Sequence, residues 1–390
     1  MMSKKDEAIK KIISNNKKYI FFKNDKIKKS RYIYKLVFSF ILIEIIIVLS
    51  GINITNKNTN ETIKLLAQKK INEIGKKEKL FLKRVRSILD KDEILENEMM
   101  NKHTTFELGG PAKFFITPKS INKIIKIIKL CKYFSMNYFI LGNGSNLLVS
   151  DKGFNGLVIK IHEENFSNLK VEQIDNIFYK AIVGGGILMR TLAKKLCLLS
   201  LSGLEDIIDI PGTIGGGIIM NASAGLRKGL IYDSLDKVKV ITPEGEIKEL
   251  SKKECQLRGR GSMLKDNRYL VIEATFNLFK EDKMIIQKTM TDHTSIRYSK
   301  QPMYFPSAGC FFMWSKPKFG SLYSKYKENN LPGFRIGDAM IYTHNIAFIV
   351  NLGNAKSSDV YELSIHIEKI FKNKYNIDIM REVILLGSFN

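Results

Sequence analysis

The chain has 390 residues, of which 44% are hydrophobic, 26% charged and 10% aromatic. This composition excludes a wholly disordered or collagen-like chain and leaves room for two or three domains. The 63 Lys and Arg against 39 Asp and Glu give a formal charge of +24. That excess reads either as a basic surface for nucleic acid, acidic lipid or anionic metabolites, or as a lysine-rich drift over solvated faces. No nucleic-acid fold signature accompanies it.

Residues 1–35 form a basic arm with pairs such as Lys4-Lys5, Lys10-Lys11, Lys17-Lys18 and Lys28-Lys29. Residues 36–52 are apolar apart from the charged Glu44, close to the minimum length that spans a bilayer. Three readings stay open for them: a signal-anchor helix, a targeting segment, or an apolar helix lying on the membrane surface. The polar run NITNKNTNETIK (53–64) opens a linker that reaches residue 66, and a charged helical pattern follows to about Asn101.

Beyond Asn101 short β-branched runs alternate with glycine-rich turns: FFITP (114–118), YFIL (138–141), NLLV (146–149), GLVIKI (156–161), AIVGGG (181–186) and IGGGIIM (214–220). Helical patterns lie between them at 120–134 and 186–201. The alternation points to an α/β or α+β fold. Single cysteines at Cys131, Cys197, Cys255 and Cys310, with five dispersed His, give neither a C-x-x-C nor metal-ligand spacing. No metal site or disulfide scaffold is expected, and a reducing intracellular setting is.

Three glycine clusters carry the chemistry. Gly142-Asn143-Gly144-Ser145-Asn146 follows a strand pattern, where glycines let backbone N–H groups approach phosphate oxygens. Leu147 stands where a dinucleotide fingerprint needs its third glycine, so the motif is not a Rossmann loop, and an ordinary tight turn is the competing reading. Gly184-Gly185-Gly186 opens a helical pattern and is a candidate anion site. The third cluster is Pro211-Gly212-Thr213-Ile214-Gly215-Gly216-Gly217. Three such loops within eighty residues suggest a dinucleotide clasped from several sides.

The order of motifs adds to this. HTTFELGGPAKF (103–114), LGNGSNLLVSDKGFNGLVI (141–159), GLEDIIDIPGTIGGGIIMNASAG (203–225) and RGRGSMLK (258–265) are followed by RYSKQPMYFPSAGCFF (297–312), GFRIGDA (333–339) and REVILLG (381–387). In this arrangement, from about residue 70 to the end, the chain resembles the UDP-N-acetylenolpyruvoylglucosamine reductases. The resemblance implies an α+β fold: an FAD-binding domain of the vanillyl-alcohol-oxidase type built of two subdomains, then a C-terminal α/β substrate-binding domain. The expected boundaries are 1–66 for arm, apolar segment and linker, 67–283 for the FAD-binding domain and 284–390 for the substrate domain.

It implies FAD as cofactor, NADPH as co-substrate and UDP-N-acetylglucosamine enolpyruvate as substrate, in a cytoplasmic enzyme of peptidoglycan precursor synthesis; the apolar segment 36–52, outside the resemblance, adds the expectation of a membrane contact. No long insertion separates the arginine and QP motifs, which favours the family's shorter type. Arg260, Cys310 and Glu382 match the family's catalytic positions: a fixed guanidinium for an enolate, a proton donor where most members carry serine, and a carboxyl group in apolar surroundings.

Gly142, Asn143, Gly144, Ser145, Asn146, Pro211, Gly212, Thr213, Gly215 and Gly216 are the expected FAD contacts, and Arg297, Gln301 and Ser262 the expected substrate contacts. Departures cluster in the shell: Gly259 stands for the usual Tyr, Met313-Trp314 for Lys-Asn, Ser223 for Gly, and Asn345 and Ala347 for a His and an Asn. Two rivals stand beside this reading, another FAD-linked oxidoreductase of the same cofactor fold and a non-catalytic membrane-tethered flavoprotein.

Overall fold

The structure, a computed structural model, describes residues 57–222, 233–313 and 322–389. The basic arm, the apolar segment 36–52, Ser223 and Trp314 lie outside the described residues. Among the described residues no helix is long and apolar enough to cross a membrane. The chain divides into two units, Met1–Lys83 and Arg84–Asn390. The described part of the first belongs to the helix Lys57–Arg86, which runs through the boundary expected at residue 66.

The second unit is built on three sheets. In the first, β1 (Ile94–Met99), β2 (Pro111–Ile116), β3 (Tyr138–Leu141) and β5 (Phe154–Lys160) lie in the order β1-β2-β5-β3. The β2–β5 and β3–β5 pairs are parallel and β1–β2 is antiparallel. The crossover helix Ile121–Phe134 starts where the Ser120 hydroxyl accepts the Lys123 N–H at 3.3 Å. It buries Ile124, Ile127, Ile128, Cys131 and Phe134, one stripe at helical spacing. Residues 94–99, read from sequence as charged helix, are a strand. The helix ends at Arg86, and the open edge of β2 then offers backbone partners that outweigh local propensity.

The second sheet is antiparallel, β10-β9-β11-β7-β6, built from β6 (Leu169–Gln173), β7 (Phe178–Gly184), β9 (Leu235–Ile241), β10 (Ile247–Ser251) and β11 (Leu270–Lys280). The short β8 (Leu201–Ser202) pairs with the end of β11. The run IGGGIIM, read as a strand, is the helix Ile214–Ile219, capped by the Thr213 hydroxyl on the Gly216 N–H at 3.2 Å. Its Gly215 packs so closely that a Cβ would sit 3.0 Å from the carbonyls of Gly185 and Val271. Close packing on the sheet decides the conformation there, against glycine's poor helix propensity.

The third sheet is also antiparallel, with β12 (Ser307–Cys310), β13 (Arg335–Ile336), β14 (Ala339–Ile341) and β15 (Phe348–Asn351) in the order β12-β15-β14-β13. The helix Ser357–Tyr375 buries Val360, Leu363, Ile367 and Phe371 in the core that this sheet shares with Phe106, Leu108 and Leu148. The chain then returns to the first lobe, where β16 (Ile384–Leu386) pairs in parallel with β4 (Leu147–Val149).

The expected domain boundary at 283/284 needs correction. The helix Lys283–Lys300 places Ile286 and Met290, one turn apart, in the core of the second sheet, and its His293 Nδ1 lies 2.8 Å from Asp206 Oδ1. The C-terminal lobe therefore opens near Gln301. Ile286 is 2% exposed, so Ile286→Ala should cost about 2–5 kcal/mol. Chemical denaturation should show the loss, and an unchanged transition midpoint would take this helix out of the core of the second sheet.

Candidate active site

One cavity of about 630 Å³ gathers almost every residue singled out from the sequence. Gly142–Asn146 line one wall, Pro211–Thr213 and Gly216 another, and Arg260, Arg297, Gln301, Cys310 and Glu382 complete it. Two expected members stand apart. Gly215 donates its N–H to the Gly185 carbonyl at 2.8 Å and packs against backbone. Ser262 is 1% exposed, with its hydroxyl donating to the Ile219 carbonyl at 2.8 Å and capping the short helix Met263–Asp266. The cluster Gly184–Gly186 is no anion loop either. Its three N–H groups donate to the carbonyls of Asn168, Ile272 and Phe166, and added Cβ atoms would strike backbone at 2.3 and 2.2 Å for Gly184 and Gly185.

The two remaining glycine loops face each other. A Cβ on Gly142 would lie 2.7 Å from Thr213 Oγ1, and one on Gly212 would lie 3.3 Å from Ser145 Oγ. Asn143 ties the loops together by donating Nδ2–H to the Pro211 carbonyl at 2.7 Å. Gly144, at φ +65°, stands where any Cβ would meet the His103 carbonyl at 2.1 Å, so only glycine lets the turn close. The backbone N–H groups of Asn143, Gly144, Ser145, Gly212 and Thr213 have no protein acceptor among the described residues. A cradle of narrow glycines and free donors suits a diphosphate. The residues present therefore fit FAD, held through these two loops.

Three segments bring the candidate acid–base groups to the same cavity. Cys310 ends β12 after an irregularity: Ser307 pairs with Val350 and Cys310 with Phe348, so an extra residue bulges out, with Gly309 at φ +74°. Glu382 is fixed from two sides. Its N–H donates to the Phe311 carbonyl at 2.9 Å, Phe312 and Arg381 form an antiparallel bridge, and its own carbonyl accepts Asn146 Nδ2–H at 3.1 Å. Arg381 points the other way, ion-paired to Glu368 at 2.7 Å with its guanidinium 5.0 Å from the Tyr361 ring.

Arg260 projects from a tight turn closed by mutual Arg258–Gly261 backbone bonds of 3.0 and 2.9 Å. Gly259 adopts φ +45° there, a left-handed conformation in which the tyrosine expected by resemblance would be strained. Its carbonyl is held by Asn221 Nδ2–H at 3.1 Å.

The Arg260 Nε lies 3.5 Å from Glu382 Oε1. Burial raises the Glu382 carboxyl above the usual range, while Arg260 and Lys265 oppose the shift. Burial pushes the Cys310 thiol up to about 11; Glu382 adds to this, and Arg260 and Arg297 work against it. Both acids are thus biased toward their protonated forms. Arg297 is 7% exposed and its Nε has no hydrogen-bond partner. A buried guanidinium with donor capacity to spare, lining a cavity, is suited to an anionic ligand.

Several cavity residues were not anticipated, notably Met189, Phe348 and the strongly exposed Tyr304 (85%) at the wall. Thr105 was also missed as a positioning residue. Its Oγ1 donates to the Ser307 carbonyl at 2.7 Å and its carbonyl accepts the Ser307 N–H at 3.1 Å, buckling the first lobe to β12. The HTTF motif was the available signal for it.

Residues 112–251 match the family model described as FAD binding domain. With the glycine cradle and an acid–base wall on one cavity, the fold and site are those of a flavin-dependent oxidoreductase. Residues 301–386 match the C-terminal domain of UDP-N-acetylenolpyruvoylglucosamine reductase. A UDP-N-acetylenolpyruvoylglucosamine reductase of Clostridium novyi is 37% identical over 305 residues, covering 78% of this chain and 96% of that protein. One of Alkaliphilus metalliredigens is 36% identical over 311 residues, covering 80% and 99%. The crystal structure of the Thermus caldophilus enzyme superposes with a TM-score of 0.61 at 30% identity, covering 76% of this chain and 98% of that one. The chain belongs to the UDP-N-acetylenolpyruvoylglucosamine reductase family. Gly142→Ala should narrow the cradle against Thr213, and the purified variant should carry clearly less flavin than the parent by absorbance. Parental flavin content would remove this loop from the cofactor site.

Proposed function

We propose that the chain uses NADPH to reduce UDP-N-acetylglucosamine enolpyruvate to UDP-N-acetylmuramate, a precursor of peptidoglycan. The observation that carries this reading is the meeting of Arg260, Cys310 and Glu382, from three distant segments, in one cavity with the glycine loops. Bound FAD supplies a two-electron carrier between the nicotinamide and the alkene. The protein's own groups then manage the charge on the substrate.

When hydride reaches the terminal vinyl carbon, the neighbouring carbon becomes a carbanion conjugated with the carboxylate. The Arg260 guanidinium offers a fork of donors to the developing oxyanion. The Cys310 Sγ–H gives its proton to the carbanion carbon, a role for which a thiol held protonated by burial is in the right state. Glu382, held beside Arg260 in a partly desolvated site, donates to the enolate oxygen when protonated and steadies the guanidinium when ionised. Arg297 and Gln301 take the sugar-nucleotide diphosphate, for which the unpartnered Arg297 Nε is the strongest pointer.

Purified protein should be yellow, bleach on adding NADPH, and regain colour only when the enolpyruvyl substrate follows. Bleaching without substrate-driven recovery would assign the site to another flavin-linked oxidation. Cys310→Ala should lower turnover by roughly 10²-fold or more, while Cys310→Ser should keep much of it. With FAD and substrate saturating, the parent's rate should show a falling limb as pH approaches 11, where the thiol loses its proton. The serine variant should lack that limb. An alanine variant as fast as the parent would take Cys310 out of the mechanism.

The amino-terminal region supports a second element of the reading, docking on an anionic membrane surface. Residues 1–86 hold 22 Lys and Arg against 7 Asp and Glu, so they carry +15 of the chain's +24, and the other 304 residues carry only +9. A compositional drift would spread evenly. Basic runs on both sides of the apolar stretch 36–52 suit a leaflet with acidic headgroups, where each lysine near the surface adds about 1 kcal/mol. The full chain should float with vesicles of phosphatidylglycerol and phosphatidylcholine mixed, but not with phosphatidylcholine alone. Failure to float with either would exclude docking, and equal flotation with both would make the attachment hydrophobic insertion.

A further inference from the structure

Lys160, the last residue of β5, stands behind the Gly142–Ser145 loop and is not among the residues lining the cavity. Its Nζ donates to the Gly142 carbonyl at 2.7 Å. In a trans peptide the carbonyl and the following N–H point in opposite directions. Holding the Gly142 carbonyl toward Lys160 therefore turns the Asn143 N–H the other way, and that N–H has no protein acceptor among the described residues. No carboxylate pairs with Lys160 among the described residues. A partly buried ammonium with a single carbonyl partner is costly unless an anion shares its surroundings.

We propose that Lys160 is a positioning residue for the cofactor diphosphate: its ammonium aims the Asn143 N–H into the cavity and sets an uncompensated positive charge behind the loop. The proposal rests on the flavin site described above and adds a member to it that acts through the loop.

Burial lowers the Lys160 pKa to about 8. The titratable groups facing it are His103 and, beyond that ring, Glu98, which lies 3.1 Å from His103 Nε2. Burial depresses the His103 pKa, so this imidazole is neutral above pH 7 and cannot produce a transition near 8. The sign follows from linkage. A protonated Lys160 favours the diphosphate, and the bound diphosphate in turn favours the proton. Affinity for FAD should be level below about pH 8 and weaken above it, until the proton is lost from the complex as well.

The test measures FAD dissociation constants by flavin fluorescence on deflavinated, refilled protein between pH 7 and 9.5, for the parent, Lys160→Arg and Lys160→Met. The parent should lose affinity above about pH 8. The arginine variant, charged throughout, should stay level, and the methionine variant should bind roughly tenfold more weakly at pH 7 with no pH step. If the arginine variant weakens with pH as the parent does, or the methionine variant binds like the parent, the proposal is overturned, whatever the methionine variant's stability. A parent that binds FAD with no pH dependence overturns Lys160 alone. A parent that binds no FAD overturns the flavin site and Lys160 together.

Discussion

The parallel pairing of β16 with β4 is the constraint on which the site depends. It brings Asn146, on the cofactor side, to Glu382, on the chemistry side: Asn146 Nδ2–H donates to the Glu382 carbonyl at 3.1 Å across 236 residues of sequence, and the Asn146 carbonyl accepts the Ile384 N–H at 3.1 Å. Without it the glycine cradle and the acid–base wall would belong to separate lobes. The Thr105–Ser307 buckle works in the same direction from the other end of the C-terminal lobe. Together they make the cavity a product of chain return, which is why its walls are drawn from segments far apart in sequence.

Electrostatics then give the cavity its character. Cationic groups, Arg260 and Arg297, sit beside acids whose protonated forms burial favours, Cys310 and Glu382. The wall thus holds positive charge with proton donors close by, the arrangement an anionic intermediate requires. The free N–H groups of the glycine loops extend the same preference to a diphosphate. Each buried cation here costs desolvation that bound anions would offset, so the site is shaped for ligands of negative charge on both sides.

Much of this was legible in the sequence because glycine, proline and capping residues leave local signatures. The strands at 138–141 and 147–149, and the helix opened by Ser120, followed from such punctuation. The loops at Gly142 and Pro211 and the trio Arg260, Cys310 and Glu382 were found as well, the trio only through resemblance. Errors arose where tertiary contact overrode local pattern. Gly184–Gly186 resembles an anion loop in sequence, yet its donors are taken by the carbonyls of Asn168, Ile272 and Phe166. Gly215 and Ser262 carry motif positions but face into packing. The helix Lys283–Lys300 shows no strong amphipathic stripe in its sequence, so its attachment to the second sheet could be seen only in three dimensions. Lys160 had no signal at all, because one lysine among many reveals nothing until its neighbours are known.

The long return to β4 also sets an order of events during synthesis. A ribosome will have synthesised both glycine loops well before residues 381–386, so the nascent chain passes through a stage that holds the residues of the cradle yet still lacks the carboxyl group of Glu382. The wall that handles protons is in that way the last part of the cavity to be completed, when the final strand is threaded home.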